Sequence, residues 1–115
     1  MVDGPHPPDT GDIVWLAFTP QVGHEQAGRR PALVLSPRDY NGRSGLALFC
    51  PITSSRKGYP FEVVLPATGK VTGVVLADQI KSLDWRARRA RFACRASSTA
   101  LSEVLAKLSV LLSPP

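Results

Sequence analysis

Short apolar runs separated by turn residues cover most of the chain, a pattern typical of a small β-protein. The first run extends from Ile13 to Phe18, is rich in β-branched and aromatic residues, and is followed by Pro20. Such a composition favours a strand, and glycine and proline mark the turns between strands. Four further strands are predicted on the same grounds, at residues 31–36, 46–53, 61–65 and 74–81.

Two other segments in this part of the chain have weaker patterns. Residues 37–45 contain many turn formers and leave room for one short helical turn. The arginine-rich stretch after Trp85 alternates poorly between apolar and polar positions, and we expect it to form an exposed edge strand.

The C-terminal segment changes period. Apolar residues recur at helical spacing, at Leu101, Val104, Leu105, Leu108, Leu111 and Leu112. Ser98 or Thr99 is available as the N-cap of this helix, and Pro114 stops it. Strands at short spacing, tight turns and one terminal helix predict a mainly β fold, a small and partly open antiparallel barrel with a C-terminal α-helix.

The length of 115 residues fits one domain, which we expect to span residues 11–113. Residues 1–10 contain three prolines and are expected to form a flexible N-terminal arm. The longest apolar run has six residues, far fewer than the roughly 18 that cross a bilayer. The first ten residues also lack the basic start and apolar stretch of a secretory signal, so a cytoplasmic location is expected.

The positive charge is concentrated in one segment. The chain has 14 lysines and arginines against nine acidic residues, a net charge of +5. Five arginines lie in an acid-free stretch of ten residues: Arg86, Arg88, Arg89, Arg91 and Arg95. A polyanion, either nucleic acid or an acidic protein, is the natural partner of such a segment, and an exposed basic face without a partner is the alternative.

The cysteines and histidines do not form a metal-binding pattern. Cys50 and Cys94 are far apart, and His6 and His24 are not paired with them at zinc-site spacing. We interpret both cysteines as small buried hydrophobic residues of a protein in a reducing compartment. No metal and no cofactor is predicted.

Several motifs are specific enough to indicate a family. Gly11-Asp12 opens the first strand, and Glu25-Gln26-x-Gly28-x-Arg30-Pro31 leads into the second. Further matching segments follow in order, at residues 51–54, 57–65 and 77–82. From about residue 9 to residue 112 the chain resembles the MazF/PemK/Kid family of toxins, and its MazF branch most closely.

The resemblance implies an SH3-like barrel that forms a homodimer and is inhibited by a cognate MazE-like antitoxin. It also implies the toxin of a type II toxin–antitoxin system, a metal-independent, sequence-specific endoribonuclease that cleaves single-stranded RNA, including mRNA. Cleavage by the 2′-hydroxyl would leave a 2′,3′-cyclic phosphate and a 5′-hydroxyl, and the loss of mRNA would inhibit translation.

By this resemblance the catalytic positions are Arg30, Thr53 and Glu25. Deprotonating a guanidinium at pH 7 costs about 7 kcal/mol, so we assign Arg30 to charge stabilisation in the transition state rather than to a base. Thr53 would donate to a phosphate oxygen, although a threonine that ends a strand is often only a β-former. Glu25 would orient Arg30, accept a proton or cap its loop.

Other residues are expected to bind the RNA. They are His24, Gln26, Ser54, Lys57, Tyr59, Gln79, Lys81 and Arg86. His24 is also an alternative general base, because an imidazole titrates near neutral pH. Tyr59 offers a stacking face for a base, and its alternative role is to cover the core.

Two other functions fit the same fold. A non-catalytic SH3-like module would bind RNA or peptide, but would not need Glu25, Arg30 and Thr53 together. A CcdB-type gyrase poison would lack the Glu-Gln-x-Gly-x-Arg-Pro segment. These two alternatives remain open at the level of sequence.

Overall fold

The computed structural model describes residues 6–17 and 28–115, and in these ranges the chain forms seven strands and two helices. In chain order they are β1 (Asp12–Ala17), β2 (Arg29–Val34), α1 (Arg38–Ser44), β3 (Leu46–Thr53), β4 (Glu62–Val64), β5 (Val74–Leu76), β6 (Lys81–Asp84), β7 (Arg91–Arg95) and α2 (Ser98–Leu112). Three of the expected site residues, His24, Glu25 and Gln26, lie outside the described residues.

The described strands form one antiparallel sheet in the order β4-β5-β3-β2-β1-β7. β3 organises this sheet because it contacts three neighbours: β2 on one side, and β6 and then β5 along the other. The path ends at β4 on one side and at β7 on the other. The predicted mainly β fold with a C-terminal helix is therefore confirmed.

Alternating residues of the strands build a core on each face of the sheet. Cys50 and Ile52 of β3 face a cluster that α2 covers with Ala100, Val104 and Leu108. Ala47 and Phe49 face a second cluster that contains the fully buried Trp85. β3 is thus packed on both faces up to Ile52, and the partly buried Thr53 ends the strand.

Some predicted elements differ from those found. Residues 74–81 are two strands, β5 and β6, because Gln79 N–H donates to Leu76 O (3.1 Å) and closes a turn between them. Residues 37–45 contain the two-turn helix α1. The N-cap of α2 is Ser97, whose hydroxyl accepts from Ala100 N–H, so the expectation of Ser98 or Thr99 was wrong by one or two positions.

The arginine-rich segment is divided between a turn and a strand. Its first residues, through Arg89, form a turn in which Arg89 has a φ of 55°. β7 follows and pairs with β1 at the end of the sheet, which confirms the predicted edge strand.

The residues just before β1 are attached to α1. The amide of Asn41 donates to Pro8 O (2.8 Å) and Ser36 O (2.9 Å), and Arg38 donates to Pro7 O. Trp85 Nε1 donates to Asn41 O, so the same residue links the N-terminal segment to the second core cluster. Residues 7–9 thus contact the body of the fold, while the boundaries of arm and domain stay predictions. Of the helices in the described ranges, neither has the length and apolar character of a membrane span.

Candidate active site

Arg30 and Thr53 lie at the same end of two neighbouring strands. The pairing of β2 with β3 ends at Ala32 and Pro51, so Arg30 lies two residues beyond this last pair on β2 and Thr53 lies two residues beyond it on β3. Since side chains alternate along a strand, each lies on the same face of its strand as the residue of that last pair. β1 holds Arg30 from the other side, since Leu16 pairs with it. Arg30 is exposed to solvent, and Thr53 is partly buried.

Thr53 lines a surface groove of about 320 Å³, here called the Thr53 groove. Its lining residues are Thr53, Ser55, Lys57, Tyr59, Phe61, Glu62, Leu76, Asp78 and Gln79. A second groove of about 350 Å³, here called the Lys81 groove, is lined by Pro51, Gln79, Lys81, Leu83 and Arg88. Gln79 belongs to both, so the two grooves adjoin along the turn between β5 and β6.

The Thr53 hydroxyl is fixed by a local hydrogen bond. Ser55 N–H donates to Thr53 Oγ1 at 3.1 Å. A hydroxyl that accepts one bond still has its own hydrogen to donate. Thr53 can therefore donate to an anionic oxygen in the groove while its acceptor side is held by the backbone.

The loop between β3 and β4 presents Lys57 and Tyr59 to the Thr53 groove. The Glu62 carboxylate accepts from Lys57 N–H (3.1 Å) and from Gly58 N–H (2.9 Å). At the other end of the loop, Lys107 of α2 donates to Pro60 O. With the backbone held in this way, the Tyr59 ring is 62% exposed, so the alternative in which it covers the core is wrong.

The remaining expected RNA contacts are found at different places. Ser54 is an exposed neighbour of Thr53, and Gln79 and Lys81 line the grooves. Arg86 lies apart from them: its guanidinium stacks over the Trp85 ring at 4.8 Å, beside Asp84, which pairs with Leu46 at the far end of β3.

The Thr53 groove also contains two residues that the sequence did not single out, Asp78 and Glu62, whose carboxylates line it. Arg88, one of the five clustered arginines, lines the Lys81 groove. Arg88 also bonds the end of β1, where its side chain donates to Ala17 O and its carbonyl accepts from Ala17 N–H. Asp78 lies in the turn after β5, and Glu62 follows the loop between β3 and β4. No short sequence motif encodes the shape of that turn or of that loop.

Burial raises the pKa of the Cys50 thiol to about 12, and the nearby Asp78 carboxylate adds to the shift. Cys50 is fully buried under the site and its thiol points to Ala77 O. This confirms the interpretation of Cys50 as a small buried residue. Among the described residues, no group of three or more His, Cys, Asp or Glu is close enough together to hold a metal ion.

Comparison with known proteins identifies the family. The family model described as PemK-like, MazF-like toxin of type II toxin–antitoxin system matches residues 9–112. The chain belongs to this toxin family. It is 50% identical to the endoribonuclease toxin MazF of Escherichia coli strain K12 over 105 residues, which are 91% of this chain and 94% of that protein. It is 35% identical to the Escherichia coli endoribonuclease PemK over 108 residues, 90% of this chain and 81% of PemK.

Solved MazF structures match the fold of this family member. A MazE–MazF crystal structure (Form-II) from Deinococcus radiodurans has a TM-score of 0.85 at 53% identity and covers 96% of this chain and 100% of that chain. MazF (Form-I) from the same organism has a TM-score of 0.84 at 61% identity, with 94% of this chain and 98% of that chain covered. The resemblance stated from the motifs is confirmed.

Proposed function

We propose that this protein is the toxin of a type II toxin–antitoxin system and acts as an endoribonuclease on single-stranded RNA, including mRNA. Its family and the names of its relatives support this assignment. The observation that supports it is that Arg30 and Thr53 lie at the same end of β2 and β3, and that Thr53 lines a groove together with Lys57 and the exposed Tyr59.

The proposed reaction uses the substrate's own nucleophile. The 2′-hydroxyl attacks the adjacent phosphorus, the bond to the 5′-oxygen breaks, and a 2′,3′-cyclic phosphate and a 5′-hydroxyl result. Arg30 neutralises charge on the phosphoryl oxygens through its two-pronged guanidinium, and Thr53 donates a hydrogen bond to one of them. Glu25 stays a proposal as the residue that orients Arg30 or accepts the proton. No step in this scheme requires a metal.

The two grooves give the RNA its path. Single-stranded RNA exposes base faces and edges, and a base stacks well on an exposed aromatic ring. Tyr59 offers that ring in the Thr53 groove, and Lys57 and Lys81 lie where phosphates of the chain would follow. The Gln79 amide lies between the grooves and would read a base edge. Short-sequence specificity is assigned to this region.

The proposal extends to partners and location. A cognate MazE-like antitoxin would silence the toxin, in line with the MazE–MazF complexes known for relatives. We place the active homodimer in the cytoplasm, where mRNA and the antitoxin are made. Inhibition of translation and growth arrest would follow from release of the toxin.

Incubation of the protein with a long RNA in excess EDTA, followed by mapping of the cut ends, tests the proposal. We expect cuts at a short recurrent sequence, with cyclic phosphate and 5′-hydroxyl ends. Arg30→Ala and Thr53→Ala should each lower the rate by about 10²-fold or more, as the loss of one preorganised donor does.

Two matched controls separate catalysis from folding. Arg29→Ala removes a neighbouring arginine whose side chain is on the opposite face of β2, and Thr68→Ala removes an exposed threonine outside the grooves. Both should retain most of the activity. RNA binding without cleavage in any buffer would support the non-catalytic module instead, and activity that requires added Mg²⁺ would contradict the mechanism.

A further inference from the structure

Gly73, just before β5, makes an unusually close backbone contact with Thr53. A Cβ added at Gly73 would lie 2.3 Å from the Thr53 carbonyl oxygen and 3.0 Å from its carbonyl carbon. Gly73 also has a φ of +112°, a conformation that L side chains rarely adopt. Both features restrict the position to glycine.

The contact lies where three strands meet. Val74, the next residue, pairs with Thr53, and Gly73 O accepts from Leu65 N–H at 2.9 Å, just after β4. Gly73 is therefore held by β4 and β5 and rests directly on the last residue of β3. Any widening at Gly73 must displace either this junction or Thr53.

We propose that Gly73 is a positioning residue for Thr53, acting with the Ser55 N–H. Gly73 fixes the carbonyl end of Thr53, and the Ser55 amide fixes Oγ1, so that the hydroxyl points to the reacting phosphate in one orientation. This inference rests on the proposed ribonuclease function, because it assigns the orientation of a proposed catalytic donor.

Gly73→Ala is the direct test. The added methyl group must push the Thr53 carbonyl by about 1 Å to reach ordinary contact distance, and a displacement of that size costs up to about 10²-fold in rate. We expect kcat on a short RNA to fall by about 10- to 100-fold, with KM changed less than about twofold. A loss confined to KM would overturn the proposal.

Gly45→Ala is the matched control. Gly45 has a similar positive φ of +77°, but a Cβ there meets nothing within 4 Å. This variant carries backbone strain without the contact at Thr53. We expect a lower melting temperature with kcat close to that of the wild type, so an equal loss of kcat in both variants would contradict the proposal.

A double-mutant cycle separates positioning from general damage. If Gly73 acts through Thr53, then Gly73→Ala in a Thr53→Ala background should cost at most about twofold in kcat. Multiplicative losses would mean that Gly73 acts independently of Thr53 and would overturn the proposal. If the wild type does not cleave RNA at all, the proposed function is wrong. If the wild type cleaves RNA and Gly73→Ala cleaves it at the same rate, only the inference about Gly73 is wrong.

Ser55 provides a second test if Gly73→Ala does not fold. Ser55→Ala and Ser55→Pro both remove the serine hydroxyl, but only the proline removes the N–H that holds Thr53 Oγ1. We expect a further loss of about tenfold in kcat for Ser55→Pro relative to Ser55→Ala, at similar KM. Equal rates for the two variants would overturn the proposal.

Discussion

At the scale of the residue, the site depends on groups that are held by backbone rather than by other side chains. The Thr53 hydroxyl accepts from a main-chain amide, and the Glu62 carboxylate accepts from two. Main-chain donors have few alternative positions, so they fix a side chain at little cost in entropy. This arrangement leaves the Thr53 hydroxyl free to direct its hydrogen to a substrate.

Cys50 gives a prediction about stability and pH. Its folded pKa is raised to about 12, above the ordinary value of 9.0, so the folded state keeps the proton longer than the unfolded state. The stability that Cys50 contributes is therefore complete below about pH 9 and is lost as the pH rises toward 12. We expect the difference in unfolding free energy between wild type and Cys50→Ala to shrink between pH 8 and pH 10.5.

Urea unfolding at several pH values measures this difference in unfolding free energy. Lysines and tyrosines titrate in both proteins, so their contributions cancel when one free energy is subtracted from the other. A difference that is constant over this range would contradict the raised pKa. A Cys94→Ala protein is the control, because Cys94 is only partly buried.

At the level of single residues, assignment from sequence depended on whether a motif was present. The Glu-Gln-x-Gly-x-Arg-Pro segment marked Arg30, but Thr53 by itself would pass for an ordinary β-former. Gly73 was missed because its role is a close approach to another strand, which one sequence does not reveal. Tyr59 had two predicted roles, and its 62% exposure excludes the one in which it covers the core, while base stacking stays a prediction.

At the scale of the element, the loop between β3 and β4 is tied at both ends before any ligand arrives. Glu62 holds the turn at Lys57 and Gly58, where the φ of Gly58 is +81°, and Lys107 holds Pro60. Tyr59 and Lys57 are thus presented to the groove in one arrangement. Preorganisation of this kind lowers the entropy lost when RNA binds.

Removal of the Glu62 carboxylate should weaken RNA binding. Glu62→Ala leaves the Lys57 and Gly58 amides without their acceptor, so the turn loses its fixed shape. We expect KM for a short RNA to rise by about three- to tenfold, with kcat reduced less than about twofold. Steady-state kinetics measures KM for both variants. Glu62→Gln keeps one acceptor oxygen, so its KM should lie between those of the wild type and Glu62→Ala.

Glu103→Ala provides the control for this prediction, since Glu103 is an exposed glutamate on α2. It should leave KM unchanged. A Glu62→Ala protein with normal KM and reduced kcat would mean that Glu62 acts on the chemistry and not on the loop.

Elements with a clear period were the most predictable from sequence. β3 runs from Leu46 to Thr53 as expected, because its alternating faces contact two different cores. The prediction of a single strand at 74–81 was wrong. The sequence stays mostly apolar through the turn that Gln79 N–H closes, so the apolar pattern does not show where β5 ends. That turn joins the two grooves, so the error fell on the part of the fold that shapes the site.

At the scale of the whole molecule, the net charge of +5 favours any polyanion, but the cations are not equivalent. Lys57 and Lys81 line the grooves, whereas Arg86 stacks on Trp85 away from them, and Lys70 is exposed in the loop before β5. Long-range attraction depends on all of these charges. Local release of counterions depends on those that touch the RNA.

The salt dependence of RNA binding separates these two contributions. For single strands, each neutralised phosphate adds about 0.7 to the slope of log affinity against log salt. The slope is measured in a Thr53→Ala background, in which the RNA is cut slowly. In that background Lys81→Ala should lower the slope by about 0.7, and Lys57→Ala should do the same. Lys70→Ala removes the same charge outside the grooves and should leave the slope within about 0.2 of its parent. A lysine that contacts a phosphate releases the counterion of that phosphate, whereas a distant lysine does not. Equal slopes for Lys81→Ala and Lys70→Ala would therefore mean that the RNA does not follow the Lys81 groove.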